Sequence, residues 1–374
     1  MEASGARRLG PNEAEAVRTG VLIVGAGQAG LAAAHALQDA GVEYVVHERH
    51  PRIGDSWRKR FDSLVLFTPR ELDALPGLPM EGDPRGYPSK DEMGDYLERY
   101  AAHFDLPVVT GDGVARLGRD GDRFVARTER GRRIVAECVV VATGTFQEPR
   151  IPGFAERLSE RVQQLDAKRY RNPSTITGRS VIVVGDGATG RQIALELSQA
   201  GKDVTLATGR LRRYVPQRVL GRDFTWWGVS IGLVTADKSS LAGRLVRAMD
   251  ATPGLHLRLS ALRRAGVALA GRCAGADGDR LLLEDGTSRR CDAVVWTLGY
   301  RDDTSWLDIP GATTIDGFVE ERGIAPIPGL FHVGREWQSA RASGLVCGVH
   351  RDARRIAERV RRLLGGSGLH DASS

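Results

Sequence analysis

Three glycines near the amino terminus have the spacing of a phosphate-binding turn. Gly25, Gly27 and Gly30 follow a short apolar run, residues 21–24, and precede a stretch with strong helix-forming residues, 31–37. In such a turn the first glycine permits a tight bend, the second lets the backbone approach a pyrophosphate, and the third lets the helix pack closely on the strand. The amino terminus of the helix then offers free N–H groups and a partial positive charge to the phosphates.

An acidic residue completes this first motif. Glu48 follows a second apolar run, residues 44–47, and lies 18 residues beyond Gly30. A carboxylate near this distance accepts hydrogen bonds from a ribose hydroxyl. The strand, turn, helix and acid together predict a dinucleotide site, and a glycine-rich turn that only packs is the alternative.

The motif occurs twice in the chain. Gly185, Gly187 and Gly190 follow another apolar run, residues 181–184, and lie 160 positions after the glycines of the first motif. The strand and turn of residues 139–144 also recur at a similar offset. The duplication predicts two dinucleotide sites, although a repeat kept only for packing is the alternative.

The two copies differ where the ribose would be read. The position that matches Glu48 is Thr208, and arginines follow at Arg210, Arg212 and Arg213. A carboxylate accepts from a free 2′-hydroxyl and repels a 2′-phosphate, whereas arginine pairs with that phosphate. The first site is therefore predicted to bind FAD or NAD, and the second to prefer NADPH over NADH.

The elements that position these residues predict an α/β fold with two Rossmann-like dinucleotide-binding domains, the second inserted into the first. The strand and turn that end at Gly334 and the helix that ends near residue 364 return to the first domain. The expected units are a flexible arm (1–19), the first dinucleotide-binding domain (20–153 and 304–364), the second (154–303) and a flexible tail (365–374).

The composition is that of a soluble globular protein. The chain has 374 residues and a formal net charge of +6. Arginines at 351–362 alternate with apolar positions at helical spacing, which indicates a solvated helix face rather than a nucleic-acid patch. The apolar run 21–37 contains Gln28 and His35, so we expect no membrane segment.

The cysteines are too scattered for a redox or metal site. None of the four forms Cys-x-x-Cys, and none has zinc-site spacing with histidine. We therefore expect no metal, no redox-active dithiol and a cytoplasmic location.

With both motifs in hand, the chain resembles the flavin-containing monooxygenases, in particular the bacterial and plant subgroup that includes the YUCCA-type enzymes. The resemblance covers residues 20 to 363 and includes the turns at 142–144 and 297–300. Its most specific stretches are 54–57, 61–69 with 75–79, and 170–173. It implies FAD on the first motif and NADPH on the second.

The resemblance also implies which residues hold the cofactors. The FAD residues would be Gly25, Gly27, Gln28, Ala29, Gly30, Glu48, Arg49, Trp57, Thr143, Gly144 and Gly334. The NADPH residues would be Gly185, Gly187, Thr189, Gly190 and Arg210.

The chain departs from the family pattern at two places. In the signature that spans residues 160–170 the Phe, Gly and His positions hold Glu160, Val162 and Asp166, and only Tyr170 is retained. Where many members carry an asparagine near the flavin, this chain reads Thr68-Pro69. Both departures bear on the lifetime of a peroxyflavin and on coupling. Asp166 is either a replaced functional histidine or a carboxylate on a helix surface.

The resemblance implies a monooxygenase that inserts one oxygen atom of O₂ into a small molecule, by N- or S-oxygenation or attack on a carbonyl, through a C4a-peroxyflavin. No catalytic side chain is assigned because the cofactor carries the chemistry. The candidate substrate contacts are Trp226, Trp227, Trp337, Gln338 and Arg341. The alternatives are a flavin-binding accessory or sensor protein and a flavin oxidoreductase that does not oxygenate; we expect a monomer or homodimer.

Overall fold

Two sheets, each with a parallel core, carry the two glycine motifs. They are seen in a computed structural model that describes residues 16–209, 213–249 and 251–367. The helices are α1 (Gln28–Asp39), α2 (Asp55–Arg58), α3 (Lys90–His103), α4 (Ala188–Gln199), α5 (Phe224–Ser230), α6 (Leu241–Met249), α7 (Leu259–Arg264) and α8 (Val346–Ser367).

The strands are short apart from those at the centre of the first sheet. They are β1 (Val17–Val24), β2 (Tyr44–His47), β3 (Val108–Val109), β4 (Val114–Asp120), β5 (Arg123–Thr128), β6 (Arg133–Val141), β7 (Glu148–Pro149), β8 (Gln163–Asp166), β9 (Ser180–Val184), β10 (Asp203–Ala207), β11 (Arg213–Val215), β12 (Arg218–Val219), β13 (Arg222–Asp223), β14 (Ala251–Pro253), β15 (Ala268–Ala270), β16 (Cys273–Asp277), β17 (Arg280–Leu283), β18 (Ser288–Arg290), β19 (Ala293–Trp296), β20 (Tyr300–Arg301), β21 (Thr313–Thr314), β22 (Gly317–Phe318) and β23 (Leu330–His332).

The first sheet has the order β3-β2-β1-β6-β5-β4, and β23 also pairs with β6. Strands β1, β2, β3, β6 and β23 are parallel to one another, whereas β5 is antiparallel to β6. Strand β6 is long enough to pair with β5 through its first half and with β23 through its second half. The last segment of the chain thus returns to the first sheet, as the sequence predicts.

The second sheet has the order β15-β10-β9-β19-β8 and all its strands are parallel. Val21 of β1 lies opposite Tyr44, and Val181 of β9 lies opposite Val204, so the 160-residue offset holds for the register as well as for the sequence. The prediction of two Rossmann-like α/β units is therefore confirmed. All strands of the second sheet lie within the predicted range 154–303.

The glycines of both copies have the same three steric roles. Gly25 has φ +101°, and a Cβ atom there would lie 2.9 Å from the Ala142 carbonyl oxygen on the neighbouring strand connection. A Cβ atom on Gly30 would lie only 1.8 Å from the Gly25 oxygen, whereas one on Gly27 would meet nothing within 4 Å. The first and third positions are therefore closed by the protein itself, and the second is open.

The start of α3 is fixed by a local capping arrangement. Ser89 caps α3 and accepts a hydrogen bond from the Glu92 N–H, while the Glu92 carboxylate accepts from the Ser89 N–H. Strand β1 begins at Val17, which is inside the predicted arm (1–19), because β6 offers it pairing partners as far as Ile134.

Helix α8 likewise continues to Ser367, beyond the predicted end of the last domain. Residues 1–15 of the predicted arm and 368–374 of the predicted tail lie outside the described residues. None of the helices in the described ranges is long and apolar enough to cross a membrane.

Candidate functional site

One cavity of about 1390 Å³ connects the two glycine turns. Its lining includes Gly25 and Gly27 of the first copy and Gly185 and Gly187 of the second. Gly30 and Gly190 do not line it, because each is packed against the carbonyl oxygen of the first glycine of its own turn. A ligand on either motif would therefore face the same cavity.

The amino terminus of α1 faces this cavity with its N–H groups free of side-chain caps. Gly27 is the N-cap residue, and the first turn contains no acidic residue. Gln28 and Ala29 line the cavity beside it. Uncapped N–H groups at the positive end of a helix are the donors that a pyrophosphate needs, so the residues present fit a dinucleotide.

Glu48 is held at the end of β2 by two backbone donors. One carboxylate oxygen accepts from the Ala26 N–H at 2.7 Å, and the other accepts from the His50 N–H at 2.9 Å. Each oxygen keeps a further lone pair, and the residue lines the cavity. This position agrees with the predicted ribose contact.

The other residues predicted for FAD also reach the cavity. Trp57 donates from its indole nitrogen to the Gln28 amide oxygen at 3.2 Å, which fixes the ring beside the α1 amino terminus. The remaining predicted residues that line the cavity are Arg49, Thr143, Gly144 and Gly334. Their part in FAD binding stays a prediction that this arrangement supports.

A glutamine that sequence reasoning missed holds the turn after β6. The Gln147 amide nitrogen donates to the Thr143 hydroxyl at 3.0 Å and to the Gly144 carbonyl at 2.6 Å, and its oxygen accepts from the Asp303 N–H at 2.8 Å. It therefore ties residues predicted to bind the first cofactor to the chain that returns from the second unit. No local sequence signal distinguishes it.

The second copy repeats the open cradle and adds a buried ion pair. Gly187 caps α4 with no side-chain hydrogen bond, and Thr189 lines the cavity with it. Behind the turn, Arg191 donates to the Asp186 carboxylate at 3.1 Å and to the Leu257 carbonyl at 2.9 Å. Because both charged groups are buried, this pair fixes the turn from within.

The ribose end of the second copy has no acid. Thr208 follows β10 as Glu48 follows β2, and its hydroxyl donates to the Ala270 carbonyl at 2.9 Å. Arg210, the predicted partner of a 2′-phosphate, lies outside the described residues. The structure adds Arg272, which lines the cavity and whose Nε lies 3.9 Å from where a Cβ atom of Gly209 would be.

Arg60, Phe146 and Tyr300 form a cluster at the cavity wall that sequence reasoning also missed. The Arg60 guanidinium lies 4.5 Å from the centre of the Phe146 ring, which packs edge-on against Tyr300. Burial lowers the pKa of Arg60 and raises the pKa of Tyr300. Arg60 Nε and the Tyr300 hydroxyl make no hydrogen bond with other described residues.

The five predicted substrate contacts have other partners, and none is among the described residues that line the cavity. The side-chain amide of Gln338 is buried and donates to the His332 carbonyl at 3.0 Å. Trp227 donates to the Val219 carbonyl, and Arg222 stacks on Trp226. Arg341 lies beside the Trp337 ring. Their contact with substrate stays a prediction without support from this arrangement.

Asp166 is not on a helix surface as one interpretation expected. It is buried at the end of β8, where one carboxylate oxygen accepts from the Lys168 N–H at 2.7 Å and the Arg169 N–H at 3.1 Å. It therefore caps a turn. Tyr170, the retained signature residue, is buried and donates to the Glu196 carboxylate at 2.7 Å.

The thiols are poorly suited to redox chemistry. All four cysteines are free and buried, and burial raises the pKa of Cys138 to about 11 and that of Cys347 to about 12. A thiol with a raised pKa is a weak nucleophile at neutral pH. No group of three potential metal ligands occurs among the residues that the structure describes.

Similarity to known proteins agrees with this site. Residues 22–216 match the family described as pyridine nucleotide-disulphide oxidoreductase. An uncharacterised CzcO-like oxidoreductase of Geobacillus kaustophilus is 39% identical over 335 residues, which is 89% of this chain and 95% of that protein. Rice indole-3-pyruvate monooxygenase YUCCA1 is 27% identical, with 84% and 86% of the two chains covered.

A solved structure of similar architecture is the flavin-containing monooxygenase from Stenotrophomonas maltophilia. It is 28% identical, has a TM-score of 0.77, and aligns with 93% of this chain and 99% of its own. The resemblance to flavin-containing monooxygenases and the fold class are therefore confirmed. A flavin and a pyridine nucleotide, the cofactor types predicted from the two motifs, are those named in these matches.

Proposed function

Since the chain belongs to the pyridine nucleotide-disulphide oxidoreductase family and to the flavin-containing monooxygenases, we propose that it is an FAD- and NADPH-dependent monooxygenase. It would transfer one oxygen atom of O₂ to a small-molecule substrate. The supporting observation is that two open glycine cradles face a single cavity. An electron donor on one motif and an electron acceptor on the other could meet there without leaving the protein.

When bound, FAD would accept a hydride from NADPH and activate O₂, and the side chains would position the reactants. The uncapped amino terminus of α1 would hold the FAD pyrophosphate, and Glu48 would accept from the ribose. The start of α8 also reaches the cavity, at Val346 and at Leu345 just before it. The positive end of this helix would stabilise negative charge on a flavin ring placed before it.

The preference for NADPH rests on the ribose end of the second copy. Thr208 places no carboxylate there, so a 2′-phosphate would not be repelled. Arg272 is more than half exposed and paired with Glu284 at 3.5 Å, so its guanidinium can turn toward a phosphate at small cost. Together with Arg210, it would supply the positive charge.

The main test is anaerobic reduction of the purified, FAD-loaded protein. NADPH should bleach the visible flavin absorbance, and readmitted O₂ should restore it with formation of an oxygenated product. Product analysis with matched amines, thioethers and carbonyl compounds then identifies the oxygenated group. If NADPH leaves the flavin oxidised, the accessory or sensor alternative is favoured. If reduction is fast but every substrate gives only hydrogen peroxide, the non-oxygenating oxidoreductase is favoured.

The cofactor preference has a separate test in Arg272→Ala. We expect kcat/KM for NADPH to fall by roughly tenfold, as for a lost charge-assisted contact, while that for NADH changes little. Arg289→Ala is the matched control, since Arg289 is an exposed arginine on β18 outside the cavity lining. Equal losses for both nucleotides would count against a 2′-phosphate contact.

A further inference from the structure

A buried carboxyl group in the cavity wall has no assigned role in cofactor binding. Asp73 follows the turn that begins at Thr68-Pro69, and only 1% of its surface is exposed. The Thr68 hydroxyl donates to its Oδ1 atom at 2.6 Å. Its Oδ2 atom makes no hydrogen bond with any described residue, although Asp73 lines the cavity. Most buried polar atoms have a hydrogen-bond partner, so an unpaired one in a cavity wall is a candidate contact for a ligand.

The carboxyl group of Asp73 is held in its neutral form. Burial is the main cause that raises its pKa to about 8, and the negative charge of Asp223 adds to this effect. The hydrogen bond from Thr68 and the charge of Arg70 act in the opposite direction but do not cancel it. The Cys347 thiol also lies near it and is itself protonated, because burial raises its pKa. At neutral pH Asp73 is therefore a hydrogen-bond donor.

The neighbouring polar groups of this wall already have partners. One oxygen of Asp223 accepts from the Tyr87 hydroxyl at 2.8 Å and the Gln217 amide at 2.6 Å, and the other accepts from the Thr225 N–H. Tyr87 and Gln217 line the cavity, but they use these donors on Asp223. Among these polar groups of the cavity lining, the buried Oδ2 atom of Asp73 is thus the one without a hydrogen-bond partner among the described residues.

The charge of the site selects among ligands. An anionic group beside Asp73 would be repelled by the buried Asp223 carboxylate. An ammonium group would have to ionise Asp73, and burying both charges in this wall would cost more than their attraction returns unless further partners were present. An uncharged acceptor oxygen needs neither change, because a neutral acid can donate to it directly.

We propose that Asp73 is a substrate-binding residue, and that its unpaired Oδ2 donates a hydrogen bond to an uncharged acceptor oxygen, such as a ketone or aldehyde carbonyl, of the bound substrate. The inference deepens the function proposed above, because it assigns the substrate class of the same cavity. Thr68 is the positioning residue, since it fixes the orientation of the carboxyl through Oδ1.

The test measures binding rather than turnover. FAD-loaded protein without NADPH is titrated with three probes of similar size by ligand-observed NMR: acetophenone, 1-phenylethylamine and benzoylformate. Acetophenone should bind best, and its affinity should fall about tenfold per pH unit once the pH exceeds the pKa of Asp73 in the protein without acetophenone. The charged amine and the charged 2-oxo acid should bind more weakly at neutral pH.

Substitutions distinguish a hydrogen-bond donor at position 73 from a residue that only supports the fold. Asp73→Leu should lower acetophenone affinity at least tenfold, whereas Asp73→Asn, whose amide still donates, should keep most of it and lose the pH dependence. Asp91→Asn, which removes an exposed carboxylate outside the cavity lining, is the control and should match the unaltered protein. Thr68→Val should give an intermediate loss with the pH dependence retained.

The proposal is overturned if Asp73→Leu binds acetophenone as well as the unaltered protein does while retaining its FAD. It is also overturned if the amine binds best and its binding releases a proton, because Asp73 would then act as an anion. Neither readout needs NADPH or O₂. A protein that never oxygenates can therefore still confirm the role of Asp73, and an active monooxygenase can still refute it.

Discussion

Gly27 and Gly30 belong to one motif, yet substitutions at the two positions should fail for different reasons. At Gly27 the backbone has φ −75° and ψ −175°, an extended conformation that any residue adopts, and a Cβ atom would meet nothing within 4 Å. Gly27→Val should therefore change the stability of the apoprotein by no more than roughly 1 kcal/mol. The added side chain would instead occupy the space through which the backbone approaches the FAD pyrophosphate, so flavin should be lost.

Gly30→Ala should have the opposite effect on the fold. Its Cβ atom would lie 1.8 Å from the Gly25 oxygen and 2.9 Å from the Gly25 carbonyl carbon, and both are backbone atoms that cannot rotate away. The turn and α1 would have to separate by more than 1 Å, which is overpacking with a cost of about 3 kcal/mol or more. That corresponds to a fall in Tm of roughly 6–12 °C in a domain of this size.

Both effects can be read from the same preparations. The ratio of visible flavin absorbance to protein absorbance gives occupancy, and thermal unfolding of the deflavinated proteins gives stability. Gly187→Val is the matched control in the second copy, where a Cβ atom also meets nothing within 4 Å; it should keep FAD and weaken NADPH. A Gly27→Val protein that is fully loaded with flavin, or a Gly30→Ala apoprotein of normal Tm, would refute the division of roles.

Three further predictions concern charge. Arg210→Ala should weaken NADPH binding by roughly 1–3 kcal/mol and NADH binding much less, measured by titration of flavin reduction; equal weakening would contradict a 2′-phosphate contact. Arg191→Leu should destabilise the protein by roughly 3–5 kcal/mol in denaturant unfolding, since Asp186 would be left charged and buried. Combining Arg191→Leu with Asp186→Asn should recover part of this stability. If the double variant recovers none, the loss comes from packing rather than from the unpaired charge. Burial lowers the pKa of His332 to about 3. The unfolded chain therefore binds this proton more readily, and the folded protein should lose stability as the pH falls below 6.5, by roughly 2 kcal/mol at pH 5. Thermal unfolding as a function of pH should show that His332→Leu removes this loss. Parallel pH profiles of stability for the two proteins would show that His332 does not cause the loss.

The cofactor cradles could be found from the sequence because their requirements are local. A turn that needs φ +101° at Gly25 and backbone contact at Gly30 admits no side chain at either position, so glycine must appear there. The repeat 160 positions later follows the same rule. The acid at Glu48 and its absence at Thr208 could also be predicted from the sequence. Each residue follows a strand that pairs with the strand leading into its own glycine turn, so its position relative to the turn is fixed.

The walls of the cavity were decided by the tertiary structure. Arg60 stacks on Phe146 across more than 80 positions of sequence, Phe146 packs against Tyr300 across more than 150, and no spacing rule connects the three. Trp226, Trp227 and Trp337 do not line the cavity. The sequence shows where a tryptophan lies in the chain but not the direction in which its ring packs. Arg272 likewise became a cofactor candidate only because β15 lies beside β10.

Asp73 shows the division most clearly. In the sequence it is one acidic residue in a loop, indistinguishable from the exposed Asp83 ten positions later. Its chemistry depends on solvent exclusion and on which donors reach it, and both are properties of the packed chain rather than of residue type. The sequence by itself determined the two nucleotide-binding turns, because they are built from backbone conformation. Only the tertiary structure decided which side chains face the space between those turns, because burial and long-range pairing are not encoded at any fixed spacing.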